Sequence, residues 1–283
     1  MSIIPVRICY LCGQYILPEH ETDEDHTYQK ALWKKKQPKV KGLEYGGTIT
    51  THRKCNNEFG GAVAKTEVIC KKAFILLNVL FDEKCYIKRF YKGDPNLGML
   101  VLDSRHIKNF SKKELEFFKI NDVLDKKYKS WADISYLKKL EKVDARRRPT
   151  NIAMTVSAKS AAALLVSHNN VSPDSYWRIA AYPGFDKEGN ADFDNLFGQT
   201  KPFDIGVKVW SREVSKKDYL VIYKYDKFIA FYHFSFSNDT DALQKVLPSI
   251  FAKENKENKE NIVHFKSNCL LDLIGYDWYE NYL

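Results

Sequence analysis

Two short stretches carry side chains whose types and spacing suit metal chemistry: Cys9-Tyr-Leu-Cys12-Gly13 and His52-Arg-Lys-Cys55-Asn56-Asn57. Each offers two soft or borderline ligands with two residues between them, so that a single turn aims both side chains at one ion. Together Cys9, Cys12, His52 and Cys55 make a tetrahedral Cys3His zinc site. With every position filled by protein, no place is left for water or substrate, and the expected zinc is structural. The competing reading puts His52 on the surface and packs the cysteines as small hydrophobes. Six cysteines are few for 283 residues. In a reducing compartment this spacing argues for zinc over disulfides, which leaves Cys70, Cys85 and Cys269 as buried thiols.

Between the two pairs lies Thr22-Asp-Glu-Asp25-His26, followed by Lys30, Ala31, Leu32 and Trp33. An acidic residue and a His, set between Cys-x-x-Cys-Gly and a Cys-Asn dipeptide, resemble the signature of the HNH (ββα-metal) endonucleases, in their zinc-bearing subgroup. The resemblance covers residues 7–65, under a quarter of the chain.

The resemblance implies a phosphodiesterase site. Phosphodiester hydrolysis needs a nucleophilic water, neutralisation of charge on the phosphate and stabilisation of the leaving oxygen. By this reading His26 is the general base. Asp25 and Asn56 are the oxygen ligands of a catalytic Mg²⁺ or Mn²⁺. The products would be a 5′-phosphate and a 3′-hydroxyl. Two alternatives stand beside these residues: Glu19-His20 as the acidic-His pair, and Asn57 as the ligand instead of Asn56. The sequence departs from the pattern in two places. His52 replaces a cysteine, and the middle Asn that orients the general base has no counterpart; Thr48 is the nearest hydrogen-bonding substitute.

These side chains need a ββα frame to hold them. Residues 6–16 read as a short strand entering a metal-binding knuckle, 19–25 as acidic and turn-like, and 42–50 as loop then strand. From Asn56 onward the apolar spacing is helical, and 73–81 reads as a buried helix. The stretch 108–148 is charged and helical, with Ser111 and Glu114 in a capping-box pattern. Arg146-Arg147-Arg148-Pro149 closes it at a boundary. A packed helix follows over 152–165, then strands at 177–182, 205–210, 219–225 and 228–236, the last two joined at Tyr225-Asp226-Lys227-Phe228. Residues 253–261 repeat Lys-Glu-Asn and read as a surface segment.

Charge is distributed unevenly. Lys and Arg number 10 against 8 acidic residues in 1–70, 20 against 11 in 71–150, and 15 against 17 in 151–283. The basic first half suits a polyanion and the near-neutral second half does not. Candidate phosphate contacts are Lys34, Lys35 and Lys36 in the loop after His26, together with Arg53, Arg146, Arg147 and Arg148. The many aromatics beyond Tyr176 are read first as core and second as stacking platforms.

The expected fold is α+β, in three parts. Residues 1–85 form the HNH zinc module and 86–150 a basic helical region. Residues 151–283 form a mixed α/β domain rich in antiparallel strands, for recognising a target or partner. The expected protein is a cytoplasmic, metal-dependent DNA endonuclease. It would carry one structural Zn²⁺ and a catalytic Mg²⁺ or Mn²⁺, act on double-stranded DNA without a membrane, and dimerise or bind a partner through its second half. By analogy it would serve restriction, antiviral defence or a mobile element. The alternatives are a non-catalytic zinc-dependent nucleic-acid-binding protein and a nuclease acting on RNA.

Overall fold

The computed structural model describes residues 7–26, 32, 48–64, 67–81, 86–91, 94–103, 110–118, 123–124, 147–168, 171–172, 176–186, 193, 207–236 and 262–279. The chain starts with two short antiparallel strands, β1 (Arg7–Ile8) and β2 (Tyr15–Ile16). They are joined by a tight knuckle in which Cys9 N–H donates to the Gln14 carbonyl at 2.9 Å and Gly13 N–H to the Cys9 carbonyl at 2.8 Å. Gly13 takes φ +71° there, a conformation that costs glycine little and other residues more.

Strand β3 (Thr22–His26) pairs antiparallel with β4 (Thr48–His52), and β4 runs without a loop into α1 (Arg53–Ala64). The segment expected to be turn-like at 19–25 is therefore strand from Thr22 on. Its acidic side chains Asp23 and Glu24 are exposed and Asp25 is buried. Helix α2 (Glu67–Phe81) follows, with Cys70, Ala73, Phe74, Leu76 and Leu77 buried.

The basic stretch is not helical throughout. It holds an antiparallel pair, β5 (Tyr86–Tyr91) and β6 (Asp94–Asp103), with β7 (Val123–Leu124) parallel to β6. Its described helix is the short α3 (Lys112–Phe117), capped as the sequence implies: Ser111 and Glu114 each satisfy the other's backbone N–H.

Helix α4 (Arg147–His168) is the centre of the molecule. Residues 152–165 are buried on every side, which the run of Ala, Ser and aliphatic residues permits by leaving neighbours room to close in. Pro149 lies inside its first turn, where the backbone N–H has no intrahelical acceptor to lose. It packs against α1 and α2 and against β10 and β11 of a five-stranded antiparallel sheet. That sheet has the order β12-β8-β11-β10-β9, from β8 (Trp177–Phe185), β9 (Val207–Ser215), β10 (Asp218–Tyr225), β11 (Phe228–Ser235) and β12 (Val263–Ser267). The turn between β10 and β11 places Asp226 at φ +54°, which Asp tolerates better than most residues. The aromatics serve as core: Trp177, Trp210, Tyr223, Tyr232 and Trp278 are fully buried, while Tyr176 is exposed.

One continuous core runs from Cys9 and Phe59 through α2 and α4 to Tyr232, Phe265 and Trp278. Residues from all three parts read in the sequence enter it, and a second, smaller cluster of Trp210, Leu220, Ile222, Ile229 and Phe231 lies apart from it. The 3-10 turn Leu270–Leu273 reaches back to the knuckle, where Leu271 N–H donates to the Leu11 carbonyl at 3.1 Å. Among the described residues, no helix is long and apolar enough to cross a membrane.

Candidate metal centre and the adjoining strand

The knuckle presents Cys9 and Cys12, β4 ends on His52, and the first turn of α1 adds Cys55. The four potential ligand atoms lie within 4.8 Å of one another. Cys12 Sγ is 3.4 Å from His52 Nδ1. Two ligands held tetrahedrally at ordinary Zn–S and Zn–N distances stand about 3.6 Å apart, so this edge already has the right length. None of these cysteines is in a disulfide. Burial first, and then the proximity of Cys9 and Cys12, pushes the Cys55 thiol far above its ordinary value; burial also raises Cys12. A half-buried cluster of thiols that cannot ionise together has the donor set and the electrostatic deficit that a cation fills. The residues suit zinc, and four protein ligands would make the site structural.

The residues expected to carry catalysis are arranged differently. Asp25 is 5% exposed. Its Oδ2 accepts a hydrogen bond from the Tyr10 hydroxyl at 2.6 Å, and its Oδ1 is 2.7 Å from Lys159 Nζ on α4. That ammonium also stands 5.0 Å over the Phe59 ring. Burial, then the Asp25 charge, raises the Tyr10 hydroxyl well above its ordinary value and keeps it a donor. Asn56, in the first turn of α1, donates from Nδ2 to Asp23 Oδ2 at 3.3 Å. Helix α1 thus lies along β3 with Asn56 beside Asp23 and Phe59 near the Asp25–Lys159 pair. The structure brings Asn56 to Asp23, not to Asp25. Asn57 is exposed.

Alternation along β3 puts Asp23 and Asp25 on one face and Glu24 and His26 on the other. His26 is half-buried and stands directly across from Thr48. The residue offered as a substitute for the missing Asn is therefore its cross-strand neighbour. On the same face, Thr50 Oγ1 donates to Glu24 Oε1 at 2.8 Å and receives Arg7 at 3.1 Å. The alternative pair Glu19-His20 lies before β3, with His20 against His52.

The phosphate-contact candidates fare unevenly. Arg147 binds Asp277, from Nε at 2.8 Å. Arg148 donates to the Phe117 carbonyl and stacks 4.7 Å from that ring's centre. Both are exposed and tie α4 to neighbouring segments. Arg53 is exposed beside Glu21, at 3.4 Å. Lys34, Lys35, Lys36 and Arg146 lie outside the described residues, as do Cys85 and the repeat at 253–261. Sequence reasoning missed Tyr10, Lys159 and Asp23. Only Asp23 left a signal there, as the residue two before Asp25 on the same strand face.

No protein-family model, curated protein or solved structure matches this chain.

Proposed function

We propose that the chain is a metal-dependent endonuclease of the HNH type, acting on DNA, with a structural zinc closing its ββα unit. The observation that carries this reading is the β3–β4 hairpin running directly into α1, with the Cys3His cluster at that joint and Asp23 and Asn56 paired on the outside. Asp25 is withdrawn from solvent by Tyr10 and Lys159, so the reading assigns the divalent ion to Asp23 and Asn56. A single carboxylate and waters, with the Asn56 amide turned so that its oxygen replaces the Nδ2–H now donated to Asp23, would be an ordinary shell for Mg²⁺. Once bound, that ion would neutralise phosphate charge and stabilise the leaving oxygen. By the resemblance His26 would be the general base; it stands on the other face of β3 from Asp23, so the bound phosphate would have to reach round the end of the strand from the ion to it.

The test is nicking of plasmid DNA in Mg²⁺ or Mn²⁺ by wild type, His26→Ala, Asp23→Asn and Asn56→Ala, with zinc content measured on each. Expected are a loss of about 10²–10⁴-fold for His26→Ala and strong losses for the other two, at unchanged zinc. Cleavage that survives His26→Ala would overturn the assignment of the base.

A second reading is favoured by one specific observation. The carboxylate that the resemblance assigns to a catalytic metal is instead a buried partner of Lys159. This suits a zinc-dependent module that binds nucleic acid without cutting it. Salt-dependent DNA or RNA binding with no cleavage by wild type would select that reading.

A further inference from the structure

We infer that His20 is a positioning residue for the metal centre: it sets the tautomer of His52 and so aims His52 Nδ1 at the ion. This rests on the metal reading of the four-residue cluster and is independent of the nuclease reading.

The assignment follows from which atoms can donate. His20 Nδ1 lies 3.2 Å from the backbone nitrogen of Leu17 and 3.0 Å from His52 Nε2. A backbone N–H can only donate, so His20 Nδ1 is an acceptor and carries no proton. Two lone pairs would repel across the 3.0 Å contact between the rings, so the proton there sits on His52 Nε2, which shares the single lone pair of His20 Nδ1 with the Leu17 N–H in a three-centre hydrogen bond. A neutral imidazole has one N–H, which leaves the lone pair on His52 Nδ1. That is the atom 3.4 Å from Cys12 Sγ, inside the cluster. Had the proton been on Nδ1, His52 would present an N–H to three sulfurs and no lone pair to a metal.

His20 itself is held by its local sequence. His20 N–H donates to the Leu17 carbonyl at 3.0 Å, closing the turn Leu17-Pro18-Glu19-His20. Pro18 stands at the second turn position, which its fixed φ favours. Main chain and imidazole thus close on the same residue, and the two rings meet edge to face with centroids 4.9 Å apart. Acceptors of this kind behind a ligating His fix its ring and raise its basicity, and their loss commonly weakens metal binding 10–100-fold.

The experiment uses the full chain loaded with zinc. Zinc affinity and release rate are measured by competition with a chromophoric chelator for wild type, His20→Ala and His20→Asn. Asn places an acceptor oxygen at the δ position, where the His20 nitrogen stood. Expected is a 10–100-fold loss of affinity for His20→Ala and recovery of most of it in His20→Asn. Nitrogen-resolved NMR of the zinc-loaded wild type should show His52 coordinated through Nδ1 and protonated at Nε2, a readout that holds even where a variant folds poorly. Coordination through Nε2, or a His20→Ala variant that keeps zinc as wild type does, would overturn the inference. A wild type that binds no zinc overturns it through the metal reading beneath it.

Discussion

Replacing Lys159 by Met tests what holds α4 to the N-terminal unit. The two charged side chains are 4% and 6% exposed, so solvent screens neither. Removing the ammonium leaves the Asp25 carboxylate buried with one neutral donor, Tyr10. Breaking a buried pair from one side costs about 3–5 kcal/mol. The melting temperature should fall on the order of 10 °C. The double variant Asp25→Asn with Lys159→Met keeps an acceptor for Tyr10 and removes both charges, so it should return to within about 1.5 kcal/mol of wild type. Urea unfolding of zinc-loaded wild type, Asp25→Asn, Lys159→Met and the double variant, followed through the buried Trp177, Trp210 and Trp278, measures the cycle. A loss below about 1 kcal/mol for Lys159→Met, or additive losses in the double variant, would refute the reasoning.

Zinc binding should release protons and strengthen as pH rises, because thiols held protonated by burial and mutual proximity must ionise to bind. Calorimetry in buffers of different ionisation enthalpy checks this, and zinc uptake without proton release contradicts it. Arg147→Ala and Arg148→Ala should each cost up to about 1 kcal/mol of stability and leave DNA affinity and its salt dependence unchanged. A fall of about one in the salt slope for either would restore it as a phosphate contact.

What was legible in the sequence is what short-range spacing decides. Cys9 and Cys12 share a knuckle, and His52 and Cys55 share a strand–helix joint, so each pair is local and only the meeting of the pairs is not. The capping box at Ser111 and the β10–β11 hairpin are equally local. Residues 19–25 read as turn-like, so neither strand β3 nor which of its two Asp residues would be buried was visible. That is decided by Lys159, 134 positions away from Asp25. The arginines before Pro149 show the same limit: the partners of Arg147 and Arg148, Asp277 and Phe117, come from distant segments. The basic stretch 86–150 misled through composition: lysines solvate strands as readily as helices, and β5 and β6 form there.

The contact between Leu271 and the Leu11 carbonyl bears on the order in which this protein is made. The knuckle is synthesised before the thiol of Cys269, which also meets Leu11 and follows 258 residues later. Local pairing and a metal can close the knuckle early, but its fully buried Tyr10 and Leu11 have no core to enter until α4 and the last strand exist. For that interval a folded, metal-bound tip would present apolar side chains to water, the condition in which nascent chains associate wrongly. A centre that is simple to load is thus slow to seat, because its seating depends on contacts of very long sequence separation.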